Sequence, residues 1–208
     1  LQLHNGENMV DRITPDSPRW HHYCDNAFDV MNSVKDKWRN PLYLQRPILR
    51  LLYCDVSSCG YCVNNPHLIS ENAMNNILLY GASATDKKKK TVKDHAFSPQ
   101  FVSRFIFDNQ EVYLNDWELF KSVFYDCCLV TIVTSEENDA LAQLTLSDDD
   151  KNTFKVKVPT YKKYDHVGIK LFKYEGTCHW KDREFTPVPN TALNVPSYLT
   201  EYEKQYLV

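Results

Sequence analysis

The stretch LVTIVTSEENDALAQL (Leu129–Leu144), followed shortly by FKVKVPTYKKYDHVGIKLFKY (Phe154–Tyr174), decides how this chain is read. The first opens as a β-branched, aliphatic run, the composition of a buried strand. At Ser135 the pattern changes. A hydroxyl residue followed by acids marks a helix start, where the side chain accepts from backbone N–H groups and the acids face the positive end of the dipole. Leu141 and Leu144 share one face, so a helix is expected over Ser135–Ser147 with Ser135 as its cap. In the second stretch, strand alternation places Phe154, Val156 and Val158 on one face and Lys155 and Lys157 on the other. TFKVKVPTY and HVGIKLFKYEG read as two strands joined by KKYD, with Tyr161, Lys162 and Lys163 at the hairpin tip. Cations beside an exposed ring suit single-stranded nucleic acid: the cations track phosphates and the ring stacks on bases. A half-buried strand with a solvated lysine face has the same pattern.

Working outward, DNAFDVMNSVKDKW (Asp25–Trp38) carries Phe28, Met31, Val34 and Trp38 at helical spacing, with Asp25 as a candidate cap. Pro41 and Pro47 disfavour a helix in the next segment, and ILRLLYCDV (Ile48–Val56) fits a buried strand. ISENAMNNILLYG (Ile69–Gly81) is open between short helix and strand. FVSRFIFDNQEVYL (Phe101–Leu114) alternates enough to be a hairpin turning at Asp108–Asn109. NDWELFKSVFYD (Asn115–Asp126) is open between helix and strand, and CCLVTIVT (Cys127–Thr134) is a strand. The tail forms a helix from Ser197, with Tyr198, Leu199, Tyr202, Tyr206 and Leu207 as its apolar positions.

The chain has 208 residues, 43% hydrophobic and 25% charged, enough for a substantial core and too apolar for disorder. Five glycines argue against a Gly-rich phosphate loop, and no apolar run reaches the ~20 residues of a membrane span. The N-terminal LQLHNGENMVDR lacks a signal-peptide core, and a start at Leu1 reads as a piece of a longer chain. Net charge is −3, but DKKKKTVK (Asp86–Lys93) and FKVKVPTYKK (Phe154–Lys163) are local basic blocks. Seven cysteines, an odd number, and no N-x-S/T sequon lean towards a reducing compartment.

CDVSSCGYCVNNPH places Cys54, Cys59, Cys62 and His67 at the spacing C-x4-C-x2-C-x4-H. These are four donors that Zn²⁺ accepts in a tetrahedron. CGYC (Cys59–Cys62) after a strand is also a redox dithiol pattern, and buried free thiols are a third reading. His21, His22 and Cys24 are weaker candidates, better read as surface and packing residues.

A helix before the last two strands is the element order of an OB-type barrel. LVTIVTSEENDALAQL and FKVKVPTYKKYDHVGIKLFKY, taken together, resemble the C-terminal OB domain of the replication protein A large subunit. In that family a WVT strand leads into a helix and then a Val-Lys-Val-x-Thr-Tyr hairpin. Leu129–Thr131, Glu136–Leu141 and Lys155–Tyr161 with Ile169–Lys170 are the counterparts. The family also inserts a zinc ribbon beginning C-x4-C, matched by Cys54 and Cys59. Its second C-x2-C, a dozen residues on, has no counterpart, and Cys62 and His67 stand closer in as replacements.

The resemblance implies a single OB domain over 1–208, mainly β with helices. A five-stranded barrel would occupy 41–176, with a zinc-ribbon-like element at 54–67 and a C-terminal helix at 196–208. It implies a non-enzymatic, nuclear protein that binds single-stranded DNA in replication or at telomeres. The large subunit of the CST complex and telomerase-associated paralogues are relatives of the same kind. Tyr161 would stack, Lys155, Lys157, Lys162 and Lys163 would neutralise phosphate, and Lys87–Lys90 would be a second basic loop. Zinc would sit on Cys54, Cys59, Cys62 and His67, and the C-terminal helix would join smaller OB-fold subunits. Two other readings stand beside it: an assembly module without DNA binding, and a thiol–disulfide oxidoreductase using Cys59 and Cys62.

Overall fold

The computed structural model describes residues 18–35, 68–148, 153–175 and 179–208. Helix and sheet are mixed. The elements are α1 (Pro18–Val34), β1 (Leu68–Ser70), α2 (Glu71–Tyr80), β2 (Thr91–His95), α3 (Pro99–Asp108), α4 (Gln110–Tyr113) and α5 (Trp117–Asp126). There follow β3 (Val130–Thr134), α6 (Ser135–Ala142), β4 (Thr145–Asp148), β5 (Thr153–Val156), a 3₁₀ turn (Thr160–Lys162) and α7 (Lys163–His166). The chain ends with β6 (Leu171–Glu175), β7 (Glu184–Val188) and α8 (Ser197–Glu203).

Five strands form one sheet in the order β2-β3-β1-β6-β7, and β4 and β5 form a separate pair. β1 is parallel to β3 and antiparallel to β6. All three residues of β1 are buried, as a central strand requires. Among the described residues the sheet is open, with β2 and β7 at its edges, and no closed barrel is formed. The expected barrel strand Ile48–Val56 and the cysteine element 54–67 lie outside the described residues.

Both parallel strands run directly into capped helices. Ser70 Oγ accepts from the Ala73 N–H at 3.1 Å and starts α2, which Gly81 closes at φ 85° with its N–H on the Ile77 carbonyl. At β3 the cap is Thr134, one residue before the expected Ser135. Thr134 Oγ1 accepts from the Glu137 N–H at 3.1 Å, and the Glu137 carboxylate accepts from the Thr134 N–H at 2.8 Å, a capping box. Thr134 keeps extended dihedrals as the last strand residue, which leaves Ser135 free to be helical.

Four expectations are corrected. Phe101–Leu114 is helical, not a hairpin. Ser98 caps α3, Pro99 stands in its first turn, and every residue from Gln100 to Phe107 is buried. Phe101, Val102, Phe105 and Ile106 recur at helical spacing behind a Ser-Pro start, and the expected hairpin overlooked both signals. Asp25 lies inside α1, which begins at Pro18, and is exposed. α6 ends at Ala142 instead of continuing to Ser147, because Thr145–Asp148 is a strand. β5 pairs with β4, with Thr145 opposite Val156 and Leu146 opposite Lys155, and not with β6. Beyond Pro159 the chain turns helical, so no KKYD hairpin exists.

One core unites α1, α3, α5, α6, the β4–β5 pair and α8. Cys24, Ala27 and Met31 are the buried side of α1, and Phe28 meets Phe120 edge-on at 5.2 Å. A smaller cluster of Ile69, Ala73 and Ile77 packs under α2, with Tyr174, Trp180 and Phe185 around it. No helix among the described residues is long and apolar enough to cross a membrane.

Candidate functional site

The sequence-predicted strip divides. Lys155 and Lys157 are exposed, flanked by buried Phe154, Val156 and Val158, as alternation required. Across the β4–β5 ladder Lys155 faces Leu146, which is 48% exposed. Tyr161 is exposed on the 3₁₀ turn, and Lys162 Nζ lies 5.5 Å from the centre of its ring. Lys163 departs from the expectation. It is 9% exposed, and its ammonium makes a 2.7 Å ion pair with Asp94. It also donates to the carbonyls of His95 at 2.7 Å and Ala96 at 3.1 Å. Three donors meet three acceptors, so Lys163 is a buried structural cation and not a phosphate ligand. Lys87 of the basic loop pairs with Asp139 at 3.1 Å. Cys54, Cys59, Cys62 and His67 lie outside the described residues.

Behind the strip is a site that the sequence did not reveal. A cavity of about 270 Å³ lies between β2, α3, α6, β5, Lys163 of α7 and the end of α8. One wall is apolar. Phe97 and Phe101 stack at 5.1 Å between centroids with 15° between planes, and Phe154 lies 6.0 Å from Phe101. Leu141, Leu144 and Val156 complete that side. The other wall is polar, from Asp94, His95, Thr160, Lys163 and Glu203. The two walls share one segment. Phe154, Val156, Val158, Thr160 and Lys163 line the cavity, while Lys155, Lys157, Tyr161 and Lys162 face solvent.

The polar wall is tightly cross-linked. Buried Tyr164 donates to Asp94 at 2.5 Å, and burial and the Asp94 charge push its hydroxyl pKa well up, so it stays protonated. The Glu203 carboxylate accepts from the Thr160 N–H at 2.9 Å and the Thr160 hydroxyl at 2.6 Å. This ties α8 to the 3₁₀ turn. Burial raises the Glu203 pKa, and the two Thr160 bonds and the Lys163 charge oppose the rise. His95 is pushed down to about 4, first by burial, then by Lys163 and Lys93, with Asp94 acting the other way. At neutral pH it is an uncharged imidazole.

The tail stripe is engaged by the chain's own body. Leu199 is fully buried, Tyr202 packs edge-on against Phe105 at 4.9 Å, and Tyr206 against Phe154 at 5.2 Å. Tyr202 also donates to Asp108 at 2.5 Å, and Tyr198 to Asp126 at 2.8 Å. Near the N-terminus, His21 meets Trp117 edge-on at 5.2 Å and Cys24 is buried, both packing roles. Cys127 and Cys128 are both buried, and Cys128 donates to the Phe124 carbonyl.

The signal for the cavity was present but scattered. Asp94 sits in a stretch that reads as polar loop, and Lys163 is about seventy residues away. Only the pairing of β2 with β3 and the helical turn after Pro159 bring them together.

No known protein family, no curated protein and no solved structure matches this chain.

Proposed function

We propose that the chain is a non-enzymatic binding domain for a small organic ligand, held in the cavity between β2, α3, α6 and β5. The observation that carries this is the two-sided lining, with three phenylalanines facing a bonded polar wall. Ligand sites are mostly apolar concavities with a few placed polar groups, commonly about 300–1,000 Å³ in volume. A cavity of about 270 Å³ lies just below that range and fits a single ring or a short chain. Asp94, Lys163 and Tyr164 are bonded as one set and Thr160 and Glu203 as another, an arrangement that fixes a wall rather than moves protons. The test uses benzyl alcohol as probe, followed by amide NMR. Expected are shifts concentrated at Phe97, Phe101, Phe154 and Thr160, with an affinity of about 1 mM, as befits a fragment of this size. Ala142 lines the cavity from the exposed side of α6, so Ala142→Trp fills the cavity without disturbing the core. It should remove those shifts. Shifts spread over the surface, or unchanged in Ala142→Trp, would end this reading.

A second reading is favoured by Lys162 poised at the Tyr161 ring, with Lys155 and Lys157 exposed on the same segment. On it, the chain binds single-stranded nucleic acid as part of a nuclear, replication protein A-like assembly. Tyr161→Ala should then weaken oligo-dT binding about tenfold, the worth of one stacked base. Three lysines at phosphates give a slope of about −2 in log affinity against log salt. Equal oligo-dT affinity in wild type and Tyr161→Ala removes the stacking role.

A further inference from the structure

Where Asp94, Thr160, Lys163 and Glu203 meet, the cavity wall presents acceptors and its donors are already bonded, with Lys93, Ser98, Asn138 and Thr145 lining other parts. All three protons of Lys163 are directed at Asp94, the His95 carbonyl and the Ala96 carbonyl. The Thr160 hydroxyl proton goes to Glu203 and the Tyr164 proton to Asp94. An anion entering here would find these side-chain protons already committed. The charges point the same way. Asp94 and Lys163 cancel, while Glu203 is 2% exposed and has no cation within ion-pairing distance among the described residues. Each Glu203 oxygen accepts one hydrogen bond from Thr160 and keeps room for another. A buried carboxylate without a partner cation is costly, and a cation that reaches it recovers part of that cost. Opposite stand Phe97, Phe101 and Phe154, whose ring faces attract a cation attached to a carbon body.

Resting on the cavity reading above, we propose that the ligand is a small organic ammonium ion, its nitrogen donating to Glu203 and its carbon body against Phe97, Phe101 and Phe154. The charged and titratable groups facing that end are Asp94 and His95 from β2 and its end, Lys163 from α7, and Lys93, which is exposed at the rim. His95 stays neutral over the range used below, being pushed down to about 4. Lys93 stands in water, where its repulsion of an incoming cation is screened.

The experiment compares benzylamine with benzyl alcohol, which have the same ring and differ in charge, by amide NMR titration of the full chain. At pH 7 the amine is expected to bind at least tenfold more tightly than the alcohol, with both sets of shifts lost in Ala142→Trp. In Glu203→Gln the amine should lose that advantage, read as the ratio of amine to alcohol affinity in the same variant. Should Glu203→Gln fail to fold, the wild type serves: burial raises the Glu203 pKa, so it takes up a proton ahead of an ordinary carboxylate, and the amine's advantage should shrink as the pH is lowered from 7 towards 5. Equal affinity for the two probes overturns the ammonium inference and leaves the cavity reading standing. An amine advantage that survives both Glu203→Gln and acid also overturns it, since the cation would then sit elsewhere. Binding of neither probe ends both readings.

Discussion

Replacing Lys163 by methionine is expected to lower folding stability by about 3–5 kcal/mol, measured by urea unfolding at pH 7. Methionine keeps the length and much of the volume of the lysine stem, so little cavity is created. What is lost is the ammonium that compensates Asp94 and satisfies the carbonyls of His95 and Ala96. The two side chains of the pair are each 11% exposed, so water does little of this work. The prediction has an internal control. Asp94→Asn in the Lys163→Met background removes the orphaned charge and should recover a large part of the loss. Asp94 and Lys163 are in direct contact, so the two substitutions should be strongly non-additive. A loss below about 1 kcal/mol for Lys163→Met would mean that the pair is exposed in solution, and that the polar wall of the cavity is not built as described.

The second large effect is pH dependence. His95 is held down to about 4 in the folded protein, against an ordinary value of 6.5. Between these values the unfolded chain binds the proton and the folded chain does not, so stability falls as pH drops from about 6.5 to 4. The contribution is on the order of 2–3 kcal/mol. Glu203 acts with the opposite sign. Its raised pKa means that the folded chain takes up a proton more readily than the unfolded one, which favours folding in acid. The wild-type curve is the sum of these, and the difference from His95→Gln isolates the histidine. Thermal or urea unfolding at intervals from pH 7 to pH 4.5 should show the wild type losing stability more steeply than His95→Gln. Parallel curves would place His95 in solvent in the folded state.

Much of the local structure was legible, and the reasons are specific. Thr134–Glu137 carries a capping box in four letters, and a one-residue error in the cap arose because Thr134 serves both strand and helix. The alternation of Phe154 to Lys157 was right because β5 has one face in the core and one in water. α3 was misread although its signals were present: Ser98 and Pro99 mark a helix start, and Phe101, Val102, Phe105 and Ile106 recur at helical spacing. Lys162 and Lys163 show the limit most clearly. Strand logic sends Tyr161 and Lys163 to the same side. After Pro159 the chain is helical, so Thr160, Lys163 and Tyr164 turn inward at spacings of three and four, and Tyr161 and Lys162 turn outward. The cavity needed tertiary pairing between segments about seventy residues apart, which periodicity does not encode. The resemblance to a replication protein A domain rested on the Val-Lys-Val-x-Thr-Tyr hairpin and the order of elements around it, and in the structure the strand that carries this pattern pairs with β4 and not with β6.

The short central strand has a consequence for how the protein is made. Leu68–Ser70 pairs with β3, about sixty residues downstream, and with β6, about a hundred. At a synthesis rate of about 5–20 residues per second, this strand leaves the ribosome several seconds before its farther partner exists. During that interval Leu68 and Ile69 have no sheet to enter, and contacts of such long range close slowly in any case. The strand made early is therefore among the last to be fully paired. Nascent chains stalled after β3 but before β6 should hold β1 by one edge only, the other open to solvent or to a chaperone.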